Sequence, residues 1–184
     1  DVDRSRGLGD VYKRQHRRII MANITLGGTP TTTIGELPEI GSLAPSFIGV
    51  RSDLSAFKSS ELDGKNIIIN IFASIDTGIC ADSTRKFNEK VSTLDNTVVV
   101  CVSMDLPFAL ERVCGGENLD NIIPVSVFRS TFGQDYGVTI LDGAFQGLLS
   151  RSVVVINTNG TVIYTEQVPE IGQEPDYESA IGSL

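Results

Sequence analysis

One cysteine, Cys80, stands where a buried strand is predicted to end and a helix to begin. Residues 66–72 form a nearly continuous apolar run, typical of a strand covered on both faces of an α/β sheet. Thr77 is predicted to be the N-cap of a helix from Gly78 to about Thr93, which places Cys80 in the first turn. An ordinary thiol has a pKa of about 8.5, and helix N-termini and neighbouring cations lower it. The pattern predicts a nucleophilic thiolate; the alternative is a buried structural cysteine.

The rest of the sequence limits which groups can assist this thiol. The one histidine, His16, lies outside the predicted domain, so the histidine base that papain-type cysteine hydrolases need is missing. The cysteines at positions 80, 101 and 114 form no Cys-x-x-Cys pair, and no ligand set with zinc spacing or phosphate-binding glycine loop is present. We therefore expect no metal and no cofactor. What remains is a cysteine assisted by a hydroxyl, backbone N–H groups and an arginine.

Three arginines are candidates for that assisting cation. Arg85 follows the cysteine by five residues, about 140° round a helix, and is predicted to point elsewhere. Arg151 precedes the apolar run 152–156 and reaches the thiol if this strand neighbours the strand that leads to it. The alternative for Arg151 is an ordinary solvated arginine at a strand end. Arg129 is the reserve candidate.

The two other cysteines have different surroundings. Cys101 lies in the middle of the β-branched run 97–103 and is predicted to be an inert core residue. A helix is predicted to open at Leu106-Pro107, since proline is tolerated in the first turn, and to run to about Val113. Cys114 lies at the end of this helix. The two glycines that follow, Gly115 and Gly116, make this helix end easy to rearrange. The alternative is that Cys114 lies at this helix end without a chemical role.

The remaining apolar patterns predict an α/β fold in which a central mixed β-sheet is flanked by helices. The two runs that bracket the Cys80 helix should form parallel strands joined by a right-handed crossover. The other predicted elements are an N-terminal β-hairpin (22–34), a short strand (47–50), another strand (125–128), a helix (130–136), an antiparallel hairpin (152–156 with 161–168) and a final helix (174–181).

Composition and charge argue against several classes of function. The chain has 184 residues, 41% of them hydrophobic, and a net charge of −8. This acidity argues against nucleic acid or an anionic membrane surface as a partner, and no run of about 18 apolar residues is present to span a bilayer. An odd number of cysteines does not suit a secreted disulfide framework, so a cytoplasmic protein is expected.

Residues 1–20 differ from the rest, with six basic side chains against three aspartates. Residues 2–15 resemble the translation of a sequencing adapter, and no apolar h-region of about 7 to 15 residues is present. We expect 1–20 to be a non-native or disordered basic extension, with Met21 as the start and residues 21–184 as one domain. A natural basic tail is the alternative.

The segment Ser74 to Cys80, together with Arg85 to Asn88, resembles the active-site segment of the bacterial thiol peroxidases, which are atypical two-cysteine peroxiredoxins. The resemblance spans residues 22–184, and the interval of 34 residues between Cys80 and Cys114 is that of the family. Further matching segments follow in order: 105–109, 114–115, 136–138, 147–148, 151–155 and 174–177.

This resemblance implies a thioredoxin-like fold and a peroxidase that reduces hydrogen peroxide and organic hydroperoxides. Cys80 would be the peroxidatic cysteine, Thr77 the hydroxyl that orients the thiol and the peroxide, and Arg151 the guanidinium beside the thiolate. Cys114 would be the resolving cysteine, forming an intramolecular disulfide that thioredoxin reduces. A homodimer is also implied.

The sequence departs from the family at Ala73, where the family has proline. Alanine frees φ and restores a backbone N–H, so a retained but weakened peroxidase is expected. The alternative is a non-enzymatic redox sensor or binding relative.

Overall fold

The computed structural model describes residues 21–184, so the extension expected at residues 1–20 lies outside the described residues. Within these residues, two sheets are present: a two-stranded hairpin and a seven-stranded sheet of strand order β4-β3-β7-β6-β5-β8-β9. The strands are β1 (Asn23–Leu26), β2 (Thr29–Thr32), β3 (Ile48–Arg51), β4 (Ala56–Lys58), β5 (Asn66–Ile71), β6 (Thr97–Ser103), β7 (Ile122–Ser126), β8 (Ser152–Ile156) and β9 (Val162–Gln167).

The helices are few and most are short. Their bounds are α1 (Gly78–Val91), α2 (Pro107–Leu110), α3 (Phe132–Asp135) and α4 (Tyr177–Gly182), with a 3₁₀ turn at Ser59–Leu62 and a π-helical turn at Glu111–Gly115. Across residues 21–184, none of these helices combines the length and apolar character that crossing a bilayer requires.

The large sheet is mixed, as the sequence predicts. Strands β5, β6 and β7 run parallel, because α1 and α2 with its π-helical turn return the chain between them. Strand β8 is antiparallel to β5, and β9 and β3 add further antiparallel pairs at the two sides. The fold is the expected α/β architecture with a small N-terminal β-hairpin.

Side chains alternate between the two faces of β5, and each face has its own core. Ile67, Ile69 and Ile71 pack on one face with Phe47 and Tyr136. On the other face, α1 covers the sheet with four buried side chains at three- and four-residue steps: Cys80, Thr84, Phe87 and Val91. Burying each large apolar side chain stabilises the fold by about 1.5–3 kcal/mol, so this stripe fixes the rotation of α1 and turns Cys80 inward.

Some boundaries differ from the predictions. Helix α1 ends at Val91, two residues early, and β7 begins at Ile122 although Pro124 lies inside it. Proline lacks the N–H that a sheet ladder uses, which is why the sequence pattern places this strand later. The structure accommodates Pro124 because β3 pairs with β7 only from Val125 onward, so Pro124 has a neighbouring strand on one side.

Candidate active site

Cys80 lies in the first turn of α1 and is buried, with 1% of its surface exposed. Strand β5 delivers the chain to this point through the loop of residues 72–77. Thr77 occupies the N-cap position with an extended backbone, as predicted, but its side chain does not cap the helix. The hydroxyl donates instead to the carbonyl oxygen of Ser74, at 2.9 Å. Thr77 therefore fixes the turn that precedes the cysteine.

The structure brings Arg151 to the sulfur. Strand β8 pairs with β5 in a register that sets Ser152 opposite Ile71, so Arg151 lies beside the end of β5. Its Nη2 donates to Cys80 Sγ at 3.1 Å, and its Nε donates to the carbonyl oxygen of Ile171 at 2.9 Å. Arg151 is only 2% exposed, and among the described residues its Nη1 has no partner. A buried cation needs a nearby counter-charge, and a Cys80 thiolate would provide one.

The other two arginines lie elsewhere. Arg85 is exposed and forms ion pairs with Asp82 and Glu117, consistent with the prediction that it points away from Cys80. Arg129, the reserve candidate, is exposed and stacks over the ring of Phe128 at 5.4 Å. Of the three, Arg151 is the one that contacts the cysteine.

Asp105 braces the Cys80 loop, a contact that the sequence analysis missed. Its Oδ1 accepts a hydrogen bond from Ser74 Oγ and its Oδ2 one from the backbone N–H of Ile75, both at 2.7 Å. Ser103 Oγ also donates to Oδ2, at 2.7 Å. The available signal was positional, because Asp105 follows β6, and parallel neighbours such as β5 and β6 end at the same edge of the sheet.

Two buried hydroxyls hold the first turn of α1. Ser83 Oγ and Thr84 Oγ1 both donate to the carbonyl oxygen of Cys80, at 2.9 and 3.0 Å. Below them, the buried Asn70 side chain lies 3.5 Å from Ser83 Oγ and 3.7 Å from Cys101 Sγ. The backbone of Cys80 is thus tied to its own helix, while the sulfur is tied to Arg151.

Cys101 has the surroundings of a core residue. It lies in mid-strand, fully buried, and burial raises the pKa of its thiol to about 12. A thiol that stays protonated at neutral pH is a poor nucleophile. Cys101 therefore matches the inert role predicted for it.

Cys114 lies inside the π-helical turn rather than after the end of a helix, which corrects the predicted boundary at Val113. The N–H of Gly116 donates to the carbonyl oxygen of Glu111, a five-residue step, at 3.3 Å. A Cβ on Gly116 would lie 2.5 Å from the carbonyl oxygen of Arg112, so the wider turn depends on glycine there. Single π-helical turns occur frequently at functional sites.

Cys114 shares one apolar cluster with Cys80 and Cys101, and all three are free thiols. Burial, followed by the nearby carboxylates of Glu117 and Glu111, raises the pKa of Cys114 to about 11. Of the four residues predicted to act together, Cys80, Arg151 and Thr77 lie around the start of α1, and Cys114 belongs to the apolar cluster that contains Cys80. Within residues 21–184, no group of three or more His, Cys, Asp or Glu side chains could hold a metal ion.

Comparison with known proteins agrees with this geometry. The model of the Redoxin family matches residues 39–181. A thiol peroxidase from Mycobacterium tuberculosis is 52% identical over 164 residues, which is 89% of this chain and 99% of that protein. A thiol peroxidase from Corynebacterium glutamicum is 48% identical over the same shares of the two chains.

Solved structures share the fold. A peroxiredoxin-like protein from Aquifex aeolicus superposes with a TM-score of 0.82 at 36% identity, covering 88% of this chain and 95% of that one. A thiol peroxidase from Chromobacterium violaceum gives a TM-score of 0.81 at 20% identity, covering 87% and 93%. The chain therefore belongs to the thiol peroxidases of the Redoxin family, peroxiredoxin-type oxidoreductases that use thiols to reduce peroxides.

Proposed function

We propose that Cys80 is the peroxidatic cysteine of this peroxidase, with Arg151, Thr77 and Cys114 completing the site. The observation that carries this proposal is the buried guanidinium of Arg151, 3.1 Å from the Cys80 sulfur. At this distance the guanidinium can donate a charge-assisted hydrogen bond to a sulfur that carries negative charge. The thiolate is the nucleophilic form of cysteine.

In the first step, the Cys80 thiolate attacks one peroxide oxygen and the O–O bond breaks. Cys80 is oxidised to a sulfenic acid, and the other oxygen takes a proton and leaves as an alcohol or water. Arg151 Nη1, which has no partner among the described residues, is a free donor for the peroxide. The Thr77 hydroxyl donates its hydrogen bond to the carbonyl oxygen of Ser74, so the hydroxyl oxygen can accept a hydrogen bond from the peroxide O–H.

In the second step, the Cys114 sulfur attacks the Cys80 sulfenic sulfur and water leaves, forming the disulfide between residues 80 and 114. Cys114 is held as a protonated thiol by its raised pKa, so it must lose its proton during this step. A disulfide needs Cα atoms within about 7 Å and a sulfur–sulfur bond of about 2.05 Å. Both cysteines are buried in helical turns, so we infer that the two turns loosen to meet.

The third step returns the enzyme to its dithiol form by exchange with an external dithiol, which becomes the disulfide. We assign thioredoxin as this donor and both hydrogen peroxide and alkyl hydroperoxides as substrates. We further propose a cytoplasmic homodimer whose catalytic domain is residues 21–184, with neither nucleic acid nor membrane as a partner. The thiol peroxidase names of the relatives support the peroxide and thiol chemistry.

The test follows oxidation of the reduced protein by hydrogen peroxide and by cumene hydroperoxide, with thiols trapped by alkylation and identified by mass spectrometry. Wild type should form the disulfide between residues 80 and 114. Cys80→Ser should consume no peroxide, whereas Cys114→Ser should stop at an oxidised Cys80. Cys101→Ser is the matched control and should behave as wild type.

Two results would contradict the proposal. If Cys80 in wild type reacts no faster than a free thiol, the redox-sensor or binding role raised by Ala73 replaces it. If the disulfide of wild type joins Cys80 to Cys101 instead, the assignment of Cys114 as the resolving cysteine is wrong.

A further inference from the structure

Two ion pairs join the segment that carries Cys80 to the segment that carries Cys114. Asp76, in the loop before α1, pairs with Arg112 in the π-helical turn. Arg85, on α1, pairs with Glu117 through both Nε and Nη2, each at 2.7 Å. We call these four residues, Asp76, Arg112, Arg85 and Glu117, the ionic clasp.

The ionic clasp brackets both cysteines along the chain. On the first segment its residues stand before and after Cys80, at positions 76 and 85, and on the second before and after Cys114, at 112 and 117. An uncharged hydrogen bond also joins the two segments, since Asn88 Oδ1 accepts from the N–H of Asn121 at 2.9 Å. Any relative movement of the two cysteine segments must therefore strain or break these contacts.

We propose that the ionic clasp holds the two cysteine segments in the closed arrangement and that its opening controls the rate of disulfide formation. This inference rests on the proposed Cys80–Cys114 disulfide. With the clasp closed, Cys80 stays in its helical turn, held by Arg151 at the sulfur and by Ser83 and Thr84 at the carbonyl. In that arrangement the sulfur is beside the cation that activates it, and it has to leave before Cys114 can bond to it.

The strength of the clasp suits a contact that opens in every catalytic cycle. In one pair, the side chains of Arg85 and Glu117 are 44% and 37% exposed. In the other, those of Arg112 and Asp76 are 61% and 53% exposed. Exposed ion pairs are weak and are screened by salt. Loss of one pair should therefore change the equilibrium between closed and open forms only a few-fold.

Clasp opening also decides the fate of the sulfenic acid. A sulfenic acid that waits for its partner is open to a second peroxide, which oxidises it to the sulfinic acid and is itself reduced to an alcohol or water. A tighter clasp prolongs that wait, and a looser clasp shortens it. The clasp residues are thus positioning residues for the resolving step, without contact to the peroxide.

The experiment compares wild type with Arg112→Gln, Arg85→Gln and the double variant, because these changes break both pairs and keep the Glu117 carboxylate that raises the pKa of Cys114. Reduced protein is mixed with one equivalent of hydrogen peroxide, quenched with an alkylating agent at successive times and analysed by mass spectrometry. The loss of the Cys80 thiol gives the first step, and the appearance of the disulfide gives the second. Glu61→Gln is the matched control, because Glu61 pairs with Arg51 at 2.7 Å with similar exposure, outside both cysteine segments.

We expect the first step to change less than two-fold in all variants. Disulfide formation should become about two- to five-fold faster in each single variant, faster still in the double variant, and unchanged in Glu61→Gln. The fraction of sulfinic acid at excess peroxide should fall in parallel. Raising the salt concentration from about 0.05 M to about 0.5 M should accelerate disulfide formation in wild type but not in the double variant.

Unchanged or slower disulfide formation in the double variant would overturn the role of the clasp, as would a salt-independent rate in wild type. The salt arm needs no mutation, so it decides even if a variant folds poorly. Failure of the proposed function looks different, because wild type itself would then form no disulfide between residues 80 and 114.

Discussion

At the scale of single residues, Arg151 combines burial with an incomplete set of partners. Its side chain reaches Cys80 and Ile171, while Nη1 has no partner among the described residues. An unpartnered buried donor is costly for stability. A site that keeps such a donor free can use it to bind the peroxide oxygens, which is the role proposed here.

Arg151→Gln should slow the oxidation of Cys80 by peroxide by about 10- to 150-fold, the equivalent of one charge-assisted hydrogen bond of about 1.5–3 kcal/mol. Arg151→Lys should give an intermediate rate of oxidation, since lysine keeps the positive charge but lacks the planar guanidinium with its several N–H donors. The second-order rate constant of Cys80 oxidation is the measurement, with circular dichroism to check folding. Arg129→Gln is the control and should match wild type; a folded Arg151→Gln with an unchanged rate would remove Arg151 from the mechanism.

Ala73 offers a second test at this scale. Ala73 is buried, and its N–H makes no hydrogen bond within the described part of the chain. Ala73→Pro should therefore raise the free energy of unfolding by about 0.4–1 kcal/mol, because proline restricts the unfolded chain, and should speed Cys80 oxidation by fixing the loop. Urea unfolding and the oxidation rate are the two readouts.

Ala81→Pro is the matched comparison, since the N–H of Ala81 donates to the carbonyl oxygen of Thr77 at 3.1 Å. This variant should be destabilised by about 3 kcal/mol. If Ala73→Pro lost stability as well, the backbone at residue 73 would be incompatible with proline and the argument from the family pattern would fail.

At the scale of elements, the π-helical turn at Glu111–Gly115 decides how Cys114 is presented. The turn is wider than an α-helical turn and lies between α2 and the loop that leads to β7. The carbonyl oxygen of Cys114 accepts from the N–H of Leu119 at 3.0 Å, so the wide hydrogen bonding continues past the cysteine. Little regular α-helix would therefore have to break in the movement of Cys114 that is proposed for the resolving step.

Gly116→Ala should destabilise the protein by about 1–3 kcal/mol, because its Cβ would meet the carbonyl oxygen of Arg112 at 2.5 Å. Chemical denaturation measures the change. The control is Gly182→Ala at the end of α4, where a Cβ meets nothing within 4 Å; its effect should be neutral or slightly stabilising. Equal stability of Gly116→Ala and wild type would show that the turn can relax into another form.

At the scale of the whole molecule, the N-terminal hairpin supports the active site from a distance. Its turn, at Gly27 and Gly28, donates two backbone hydrogen bonds to the Glu170 carboxylate, at 2.8 and 3.0 Å. The neighbouring Ile171 donates its N–H to Thr25 and accepts from Arg151 Nε. Contacts therefore run from the hairpin through Ile171 to the guanidinium beside Cys80.

The Glu170 contact makes part of the stability depend on pH. Hydrogen bonds from Thr25 and from three glycine N–H groups lower the pKa of Glu170 to about 2 from an ordinary value near 4.5. A folded-state pKa below the unfolded value stabilises the protein above about pH 4.5, and this contribution is lost as the pH falls toward 2. Glu170→Gln lacks the contribution altogether.

At about pH 6, wild type should therefore have a higher free energy of unfolding than Glu170→Gln. At about pH 3 this difference should be smaller. Urea titrations at both pH values measure it. Glu39→Gln is the control, because Glu39 is exposed and its carboxylate accepts no hydrogen bond in the part of the chain that the structure describes. A difference that grows as the pH falls would contradict the assignment.

The sequence by itself determines the elements that are encoded locally. The apolar runs at 66–71 and 97–103 specify two buried strands, and the stripe headed by Cys80 specifies which face of α1 turns inward. The segment around Cys80, together with the matching segments that follow it along the chain, also indicates the family. Each of these signals lies within a few consecutive turns or strand residues, where side-chain periodicity and propensity act directly.

Only the tertiary structure decided which distant groups meet at Cys80. The choice among Arg85, Arg129 and Arg151 depended on the pairing of β8 with β5, and strand neighbours far apart in sequence are set by packing of the whole sheet. The contacts of Asp105 and of the ionic clasp could not be predicted for the same reason, since the partners lie about 30 residues away along the chain. Local periodicity shows which side of an element is buried, whereas the pairing of polar groups follows from how the buried sides come together.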